Sequence, residues 1–177
     1  RWDLTRPYIL WVGTREPRKN LPTLLAAYRQ MEDADLDLVL VGPAGWGSDP
    51  TDAPLAPDRV HVLGRLDDAD LACAYAGARV FTFPSLWEGF GLPVLEAMAH
   101  GTPVVTSAGT CMEEVTGDAG LLVEPTDADA LAAALRTAAG DAHDDLAAAG
   151  IERARRFTWE ASAAAHAEVY RHLAGAR

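Results

Sequence analysis

Two carboxylates eight positions apart, Glu88 and Glu96, frame the segment of the chain that carries the most chemical information. Gly89 and Gly91 lie between them, and glycine lets backbone N–H groups approach a ligand with no Cβ in the way. Pro93 fits the first turn of a helix, whose amino end favours a phosphate. Carboxylates repel a phosphate but accept hydrogen bonds from vicinal hydroxyls. The segment therefore predicts a ligand with a diphosphate between two polyhydroxy groups, such as a nucleotide sugar.

Basic side chains at positions 15, 18 and 19 follow the first predicted strand. Arg18 offers a planar bidentate donor and Lys19 a compact positive charge. Together they would neutralise much of a diphosphate and stabilise the charge that builds on it as a leaving group departs. Lys19 is the only lysine in the chain. A solvated basic turn that caps a helix is the plainer interpretation of these residues.

Short apolar runs alternate with amphipathic segments, which predicts strands alternating with helices. We predict strands over 8–12, 36–41, 59–63, 80–83 and 121–123, and another that ends near 105. We predict helices over 20–31, 67–76, 127–139, 142–156 and 159–174, one that begins near Pro93, and one turn over 112–115. This alternation is typical of an α/β fold, a Rossmann-like parallel sheet covered by helices on both faces. We expect a single domain over 1–177.

Particular residues should begin or anchor these helices. Asn20 and Asp127 are suited to N-cap positions, and Trp159 is expected to anchor the last helix. Cys111 is placed in a loop before the short turn. The segment 42–57 is rich in Gly, Pro and Asp and predicts a long loop. Because the carboxyl ends of parallel strands meet at one edge, where ligands bind, the acidic and the basic constellations are both expected there.

Composition argues against several classes of function. A net charge of −11 and a pI of about 4.7 make nucleic acid a poor partner. No apolar run reaches the length of a membrane span. His143, His166 and His172 form no cluster, so we predict no metal site. Cys73 and Cys111 lack metal-ligand spacing, and we interpret them as reduced thiols of a cytoplasmic protein.

The segment 84–105 resembles the donor-site motif of the retaining GT-B glycosyltransferases of the "group 1" family. In that family a Glu, seven residues and a second Glu recur, and here these are Glu88 and Glu96. The resemblance implies that Glu88 contacts the transferred sugar and Glu96 the nucleotide ribose. It extends from about Tyr8 to about Tyr170 and implies the C-terminal, donor-binding half of a GT-B fold. The N-terminal, acceptor-binding half is expected to be absent from the chain, which begins with Arg1.

Residues 16–20, Glu-Pro-Arg-Lys-Asn, resemble the variant found in mannosyltransferase-like members of that family. This variant favours GDP-mannose over a UDP-sugar as the donor. In many relatives an arginine directly follows the glycine, whereas Thr14 does here, which leaves the role to Arg15 or Arg18. The resemblance implies catalytic roles for Glu88, Arg18 and Lys19. It implies contacts with the nucleotide sugar from a further set: Gly13, Thr14, Arg15, Leu63, Arg65, Gly89, Phe90, Gly91, Leu92 and Glu96.

The family resemblance thus implies the donor domain of a retaining hexosyltransferase that needs no metal and no cofactor. We expect such a fragment to be inactive alone, and the missing half to hold the acceptor and any peripheral contact with a membrane. A nucleotide-sugar epimerase of GT-B architecture and a non-catalytic nucleotide-binding module are the alternatives. A Rossmann dehydrogenase would need Gly-x-Gly-x-x-Gly after the first strand, and residues 13–18 do not supply it.

Overall fold

A parallel sheet organises the part of the chain that the structure describes. This structure, a computed structural model, describes residues 2, 4–31, 34–45 and 59–175. In those ranges the sheet has six strands: β1 Tyr8–Val12, β2 Asp37–Val41, β3 Val60–Gly64, β4 Val80–Phe83, β5 Val104–Ser107 and β6 Leu121–Val123. Their order across the sheet is β3-β2-β1-β4-β5-β6.

Helices connect the strands and flank the sheet. In chain order they are α1 Leu21–Arg29, α2 Asp68–Gly77, α3 Leu92–Ala99, α4 Cys111–Thr116, α5 Ala128–Ala139, α6 His143–Ala154 and α7 Trp159–Gly175. Short 3-10 turns cover Pro17–Lys19 and Gly117–Ala119. The prediction of a Rossmann-like α/β fold with a parallel sheet is confirmed.

The middle of the sheet forms the core. Every residue of β2, β4 and β5 is buried. Parallel strands covered by helices have no solvent side, and this is why their sequences are continuous apolar runs rather than alternating ones. Trp11, Phe81 and Phe83 are among the largest fully buried side chains.

The direction of the connections reverses between β1 and β4. These two strands are neighbours, and Leu10 of β1 is paired with Val39 on one side and Phe81 on the other. The chain leaves β1 towards β2 but leaves β4 towards β5, so the two following loops diverge and open a crevice at the carboxyl ends of the strands. Open α/β sheets bind ligands at such a switch point. Segments 13–20 and 84–91 form it here.

Several local predictions are wrong. Helix α1 ends at Arg29 rather than at residue 31. Cys111 is the first residue of α4 and not part of a loop, because Thr110 caps that helix and accepts a hydrogen bond from the Met112 N–H over 3.3 Å. Trp159 anchors nothing: it is 85% exposed, and no residue of α7 is buried. Most of the predicted 42–57 loop lies outside the described residues.

Candidate functional site

Hydrogen bonds hold the loops after β1 and β4 against each other. The Leu86 N–H donates to the Arg18 carbonyl over 2.8 Å. The Asn20 side chain donates to the Pro84 carbonyl over 3.0 Å. The acidic and the basic constellations of the sequence therefore lie side by side at the switch point of the sheet.

The Glu88 carboxylate lies between two cations. Lys19 Nζ donates to Oε1 over 2.7 Å, and Arg18 Nη1 lies 2.5 Å from Oε2. The Glu88 side chain is only 9% exposed, and this burial alone would raise its pKa. Hydrogen bonds from Lys19 and Arg18 outweigh burial and hold the pKa of Glu88 below its ordinary value. Glu88 is therefore a carboxylate at neutral pH, a hydrogen-bond acceptor rather than an acid.

Lys19 is a buried cation. Its Nζ lies 4.4 Å from the centroid of the Phe83 ring, within the range of a cation–π contact. This contact and the ion pair with Glu88 offset the cost of removing the charge from water. Gly13 packs closely beside both Trp11 and the lysine stem, because an added Cβ there would lie 3.3 Å from the Trp11 ring and 3.4 Å from Lys19 Cε.

Arg18 is fixed by neighbours on more than one side. Its Nε pairs with Glu16 Oε1 over 2.6 Å. Its guanidinium carbon lies 5.1 Å from the centroid of the Trp87 ring, and Nη1 donates to the Trp87 carbonyl over 3.4 Å. The Arg18 side chain remains 30% exposed, so part of the guanidinium is open to an anion.

Sequence reasoning missed Glu16, a buried carboxylate in the same loop. The sequence did contain a signal for it, namely an acidic residue between Arg15 and Arg18. A carboxylate at that position would repel an anionic ligand, so its presence suggests that it orients one of the two arginines. A buried carboxylate needs such a partner. Through its pairing with Nε, Glu16 positions the Arg18 guanidinium beside Glu88.

Asn20 joins three loops instead of capping α1 with its side chain as predicted. It is the N-cap residue, but it lies in the left-handed region with φ of 57° and makes no side-chain cap bond. Its amide donates to the carbonyls of Pro84 and Pro125 over 3.0 and 2.6 Å, and its oxygen accepts from the Thr23 hydroxyl over 2.8 Å. Asparagine tolerates this backbone region better than most residues. Asn20 thus ties together the loops that follow β1, β4 and β6.

The glycine loop exposes its backbone. An added Cβ at Gly89 would meet no described atom within 4 Å, so packing does not require glycine there. Gly91 has φ of +98° as the N-cap of α3, and an added Cβ would lie 3.0 Å from Met112 Cγ. The apolar side chains of Phe90 and Leu92 are exposed. The loop therefore offers open backbone and the amino end of a helix.

Glu96 lies apart from the ion-pair cluster. It is exposed on α3 and accepts a hydrogen bond from the Tyr75 hydroxyl of α2 over 2.8 Å. The structure thus gives the two predicted carboxylates different surroundings, with Glu88 between cations and Glu96 beside a phenol.

The other predicted contact residues lie at the same edge of the sheet. Thr14 and Arg15 follow β1, and Arg15 Nη1 donates to the Gly42 carbonyl over 3.2 Å. Leu63 and Arg65 lie at the end of β3, which β2 separates from β1. Arg18, rather than Arg15, is the arginine that pairs with Glu88.

The described residues hold no group of three His, Cys, Asp or Glu that could bind a metal ion. Cys73 and Cys111 are both free thiols. The Cys111 Sγ donates to the Glu88 carbonyl over 3.2 Å, so this thiol supports the backbone of the glycine loop. Searched over the same ranges, none of the helices is both long enough and apolar enough to cross a membrane.

Fold and site together define a Rossmann-like α/β domain with a charged cluster at its switch point. The model of the family "Glycosyl transferases group 1" matches residues 6–141, and the chain belongs to this family.

Individual proteins similar to this chain are also glycosyl-transferring enzymes by name or share its fold. The chain is 42% identical over 162 residues to the O-antigen chain mannosyltransferase B of Escherichia coli, covering 86% of this chain and 42% of that protein. It is 37% identical over 179 residues to the phosphatidyl-myo-inositol mannosyltransferase of Mycolicibacterium smegmatis, covering 95% and 46%. The sucrose-phosphate synthase of Thermosynechococcus elongatus matches the fold with a TM-score of 0.81 and 36% identity, over 98% of this chain and 47% of that one.

The predicted resemblance to mannosyltransferase-like members of the group 1 family is confirmed. The chain spans about half the length of these relatives.

Proposed function

We propose that this domain binds a nucleotide-diphospho-sugar, with GDP-mannose as the favoured donor, and presents it for retaining transfer of a hexose to an acceptor hydroxyl. The observation that carries the proposal is the pairing of Glu88 with Arg18 and Lys19 at the switch point of the sheet. Two relatives named as mannosyltransferases support mannose as the hexose. The Glu-Pro-Arg-Lys-Asn block at 16–20 supports GDP as the carrier.

The proposed catalytic roles follow from the charges. Lys19 and the exposed part of Arg18 would neutralise the diphosphate. Negative charge builds on the phosphate as the sugar leaves in an oxocarbenium-like state, and cations already fixed in a partly dry site stabilise that charge without reorganising. Glu88 would accept hydrogen bonds from the sugar hydroxyls, and Glu96 from the ribose. The acceptor would attack from the same face, with a phosphate oxygen taking its proton, so no metal or cofactor enters the proposal.

The remaining predicted contact residues complete the proposed site. We assign the open backbone at Gly89 and the amino end of α3 to the phosphates, because helix amino ends favour anions. The other residues would contact the nucleotide or the sugar: Gly13, Thr14, Arg15, Leu63, Arg65, Phe90, Gly91 and Leu92. The acceptor would bind to a second half of a longer protein. The free thiols favour a cytoplasmic location.

Calorimetric titration with GDP, GDP-mannose, UDP and UDP-glucose tests the proposal. We expect GDP-mannose to bind most tightly. Glu88→Gln should weaken GDP-mannose relative to GDP, because only the intact donor carries the sugar. Glu124→Gln, at an exposed carboxylate just after β6, changes the same charge at the same edge and should leave the ratio unchanged. An unchanged ratio of the GDP-mannose and GDP affinities in Glu88→Gln would mean that Glu88 does not contact the sugar. If the domain binds no nucleotide, the whole proposal is wrong.

A further inference from the structure

The hydrogen bond that holds Glu96 comes from the protein core. The Tyr75 hydroxyl donates to Glu96 Oε2 over 2.8 Å. Tyr75 is 1% exposed, whereas Glu96 lies on the exposed side of α3. No other described side chain donates to the Glu96 carboxylate, so Oε1 keeps its lone pairs for a ligand. A buried donor therefore sets the orientation of an exposed acceptor.

The Tyr75 ring is itself fixed by its neighbours. It meets Phe81 edge-on with centroids 5.5 Å apart and an interplanar angle of 63°, and it stacks on His100 with centroids 5.5 Å apart at 22°. The Tyr75 carbonyl accepts from the Thr102 hydroxyl over 2.7 Å. A ring enclosed in this way has little rotamer freedom, so its hydroxyl is held at one place.

The hydroxyl also stays protonated. Burial is the largest cause that raises the pKa of Tyr75, and the charge and hydrogen bond of Glu96 raise it further. His100 adds a tie to the same glutamate, because its Nδ1 lies 2.8 Å from the Glu96 carbonyl. Both the backbone and one carboxylate oxygen of Glu96 are thus engaged from the protein side.

We propose that Tyr75 is a positioning residue for nucleotide recognition, which orients the Glu96 carboxylate so that Oε1 accepts hydrogen bonds from the ribose hydroxyls of a nucleoside diphosphate. The inference rests on the proposed function, which puts the ribose at Glu96. An exposed glutamate samples several rotamers, and a ligand that requires one of them must restrict the side chain on binding. Tyr75 imposes that restriction before the ligand arrives.

Calorimetry with GDP and 2′,3′-dideoxy-GDP tests the inference, because only GDP carries ribose hydroxyls. The unmodified chain should bind GDP more tightly than the dideoxy analogue. Tyr75→Phe should lower the affinity for GDP by about 2- to 12-fold, the range for one hydrogen bond, and leave the analogue unaffected. Tyr8→Phe is the matched control: it also deletes a buried hydroxyl that donates into α2 over 2.8 Å, to the Ala74 carbonyl, and should change neither affinity.

The possible results distinguish a failure of the role proposed for Tyr75 from a failure of the role proposed for Glu96. If Tyr75→Phe leaves the ratio of the two affinities unchanged, whether or not both affinities fall, Tyr75 is only structural and the inference is wrong. If the unmodified chain binds GDP but does not distinguish it from the analogue, Glu96 does not contact the ribose, and the role proposed for Glu96 fails first. In a Glu96→Ala background, Tyr75→Phe should have no further effect on GDP, since the two residues act as a unit.

Discussion

Arg18 and Lys19 are neighbouring cations that both pair with the carboxylate of Glu88. Like charges repel, and removing them from water is costly unless a partner compensates. Glu88 supplies that partner to both at once. A diphosphate would bring a second negative group to the same cations. Because the cluster is largely buried, salt should screen that attraction less than it screens a surface pair.

Replacing Lys19 tests the phosphate role at this scale. Lys19→Ala should weaken binding of a nucleoside diphosphate by about 1.5–3 kcal/mol, the range for a charge-assisted contact. The control is Arg29→Ala, which removes an exposed cation at the far end of α1 and changes the net charge equally. Calorimetry below the unfolding temperature of each variant gives both values. An unchanged affinity in Lys19→Ala would place the phosphate elsewhere.

The ion pairs of Glu88 also predict how stability depends on pH. Its pKa in the folded state is lowered from the ordinary value of 4.5. A lowered pKa means that the contribution of Glu88 to stability is complete above 4.5 and is lost as the pH falls through the folded-state pKa. Urea unfolding at several pH values between about 5 and 3 should show a shallower fall in the free energy of unfolding for Glu88→Gln, which cannot titrate. Glu124→Gln should keep the original slope, and parallel curves for all three chains would contradict the prediction.

Among the elements, the loops after β1 and β2 pack backbone against backbone. Arg15 forms an isolated parallel bridge with Ala44, and the Gly13 N–H donates to the Val41 carbonyl over 2.9 Å. Gly42 makes this approach possible, since an added Cβ would lie 1.9 Å from the Gly13 carbonyl oxygen. The position of the β1 loop, and with it that of Lys19, therefore depends on the loop of a neighbouring strand.

Two glycines should respond in opposite ways to the same substitution. Gly42→Ala should cost at least about 1–3 kcal/mol of unfolding free energy, because φ is +133° and the new methyl group meets backbone. Gly89→Ala should leave stability unchanged and weaken the binding of GDP and GDP-mannose alike, because the space beside it is open to a ligand and both carry the phosphates. Urea unfolding and calorimetry on both variants measure these effects. An unchanged stability of Gly42→Ala would mean that the loops tolerate a side chain at that position, and a destabilised Gly89→Ala would mean that packing does require glycine there.

Local patterns in the sequence predict most of these elements. Strands at Tyr8–Val12, Val80–Phe83 and Leu121–Val123 have the predicted bounds, because uninterrupted apolar runs suit strands buried between helices. The start of α4 was also readable, since Thr110 and Glu113 form the spacing of a capping box.

Local sequence patterns could not predict the contacts between segments that are distant in the chain. Asn20 meets Pro84 and Pro125 across 64 and 105 positions of the chain, and the pairing of Arg18 with Glu88 likewise depends on β1 and β4 being neighbours. Local periodicity predicts each strand but does not specify which strands lie side by side. The family motif identified Glu88, Arg18 and Lys19 separately, whereas only the fold showed that they form one cluster.

At the scale of the whole molecule, α7 differs from the other helices. Its 17 residues include none that is buried, and large apolar side chains stay exposed along it, namely Trp159, Val169, Tyr170 and Leu173. Exposed apolar side chains concentrated on one helix are typical of a surface that another surface covers. This exposure, and the match to about half the length of each relative, are consistent with our proposal that the acceptor lies on a second half.

We therefore expect this chain to bind the nucleotide sugar without transferring the sugar. The loops proposed to hold the donor all follow strands of one sheet, β1, β3 and β4, so we expect nucleotide binding to require no further segment. Transfer also requires an acceptor hydroxyl held within about 3–3.5 Å of the anomeric carbon, and such orientation supplies roughly 7–11 kcal/mol of barrier reduction. We expect the 177-residue chain to bind GDP-mannose and yet to transfer almost no sugar.

Turnover assays on this chain and on a longer protein that includes the second half measure the separation. The longer protein should transfer mannose with retention of the anomeric configuration, read by NMR of the product, and adding the second half in trans should restore part of that rate. Glu88→Gln in the longer protein is the control for enzyme-dependent transfer, because it should lower the rate while the acceptor half is intact. Equal acceptor-dependent rates for the short and long proteins would mean that the acceptor site lies within these residues. Inverted product would instead exclude same-face attack, because attack from the opposite face reverses the anomeric configuration.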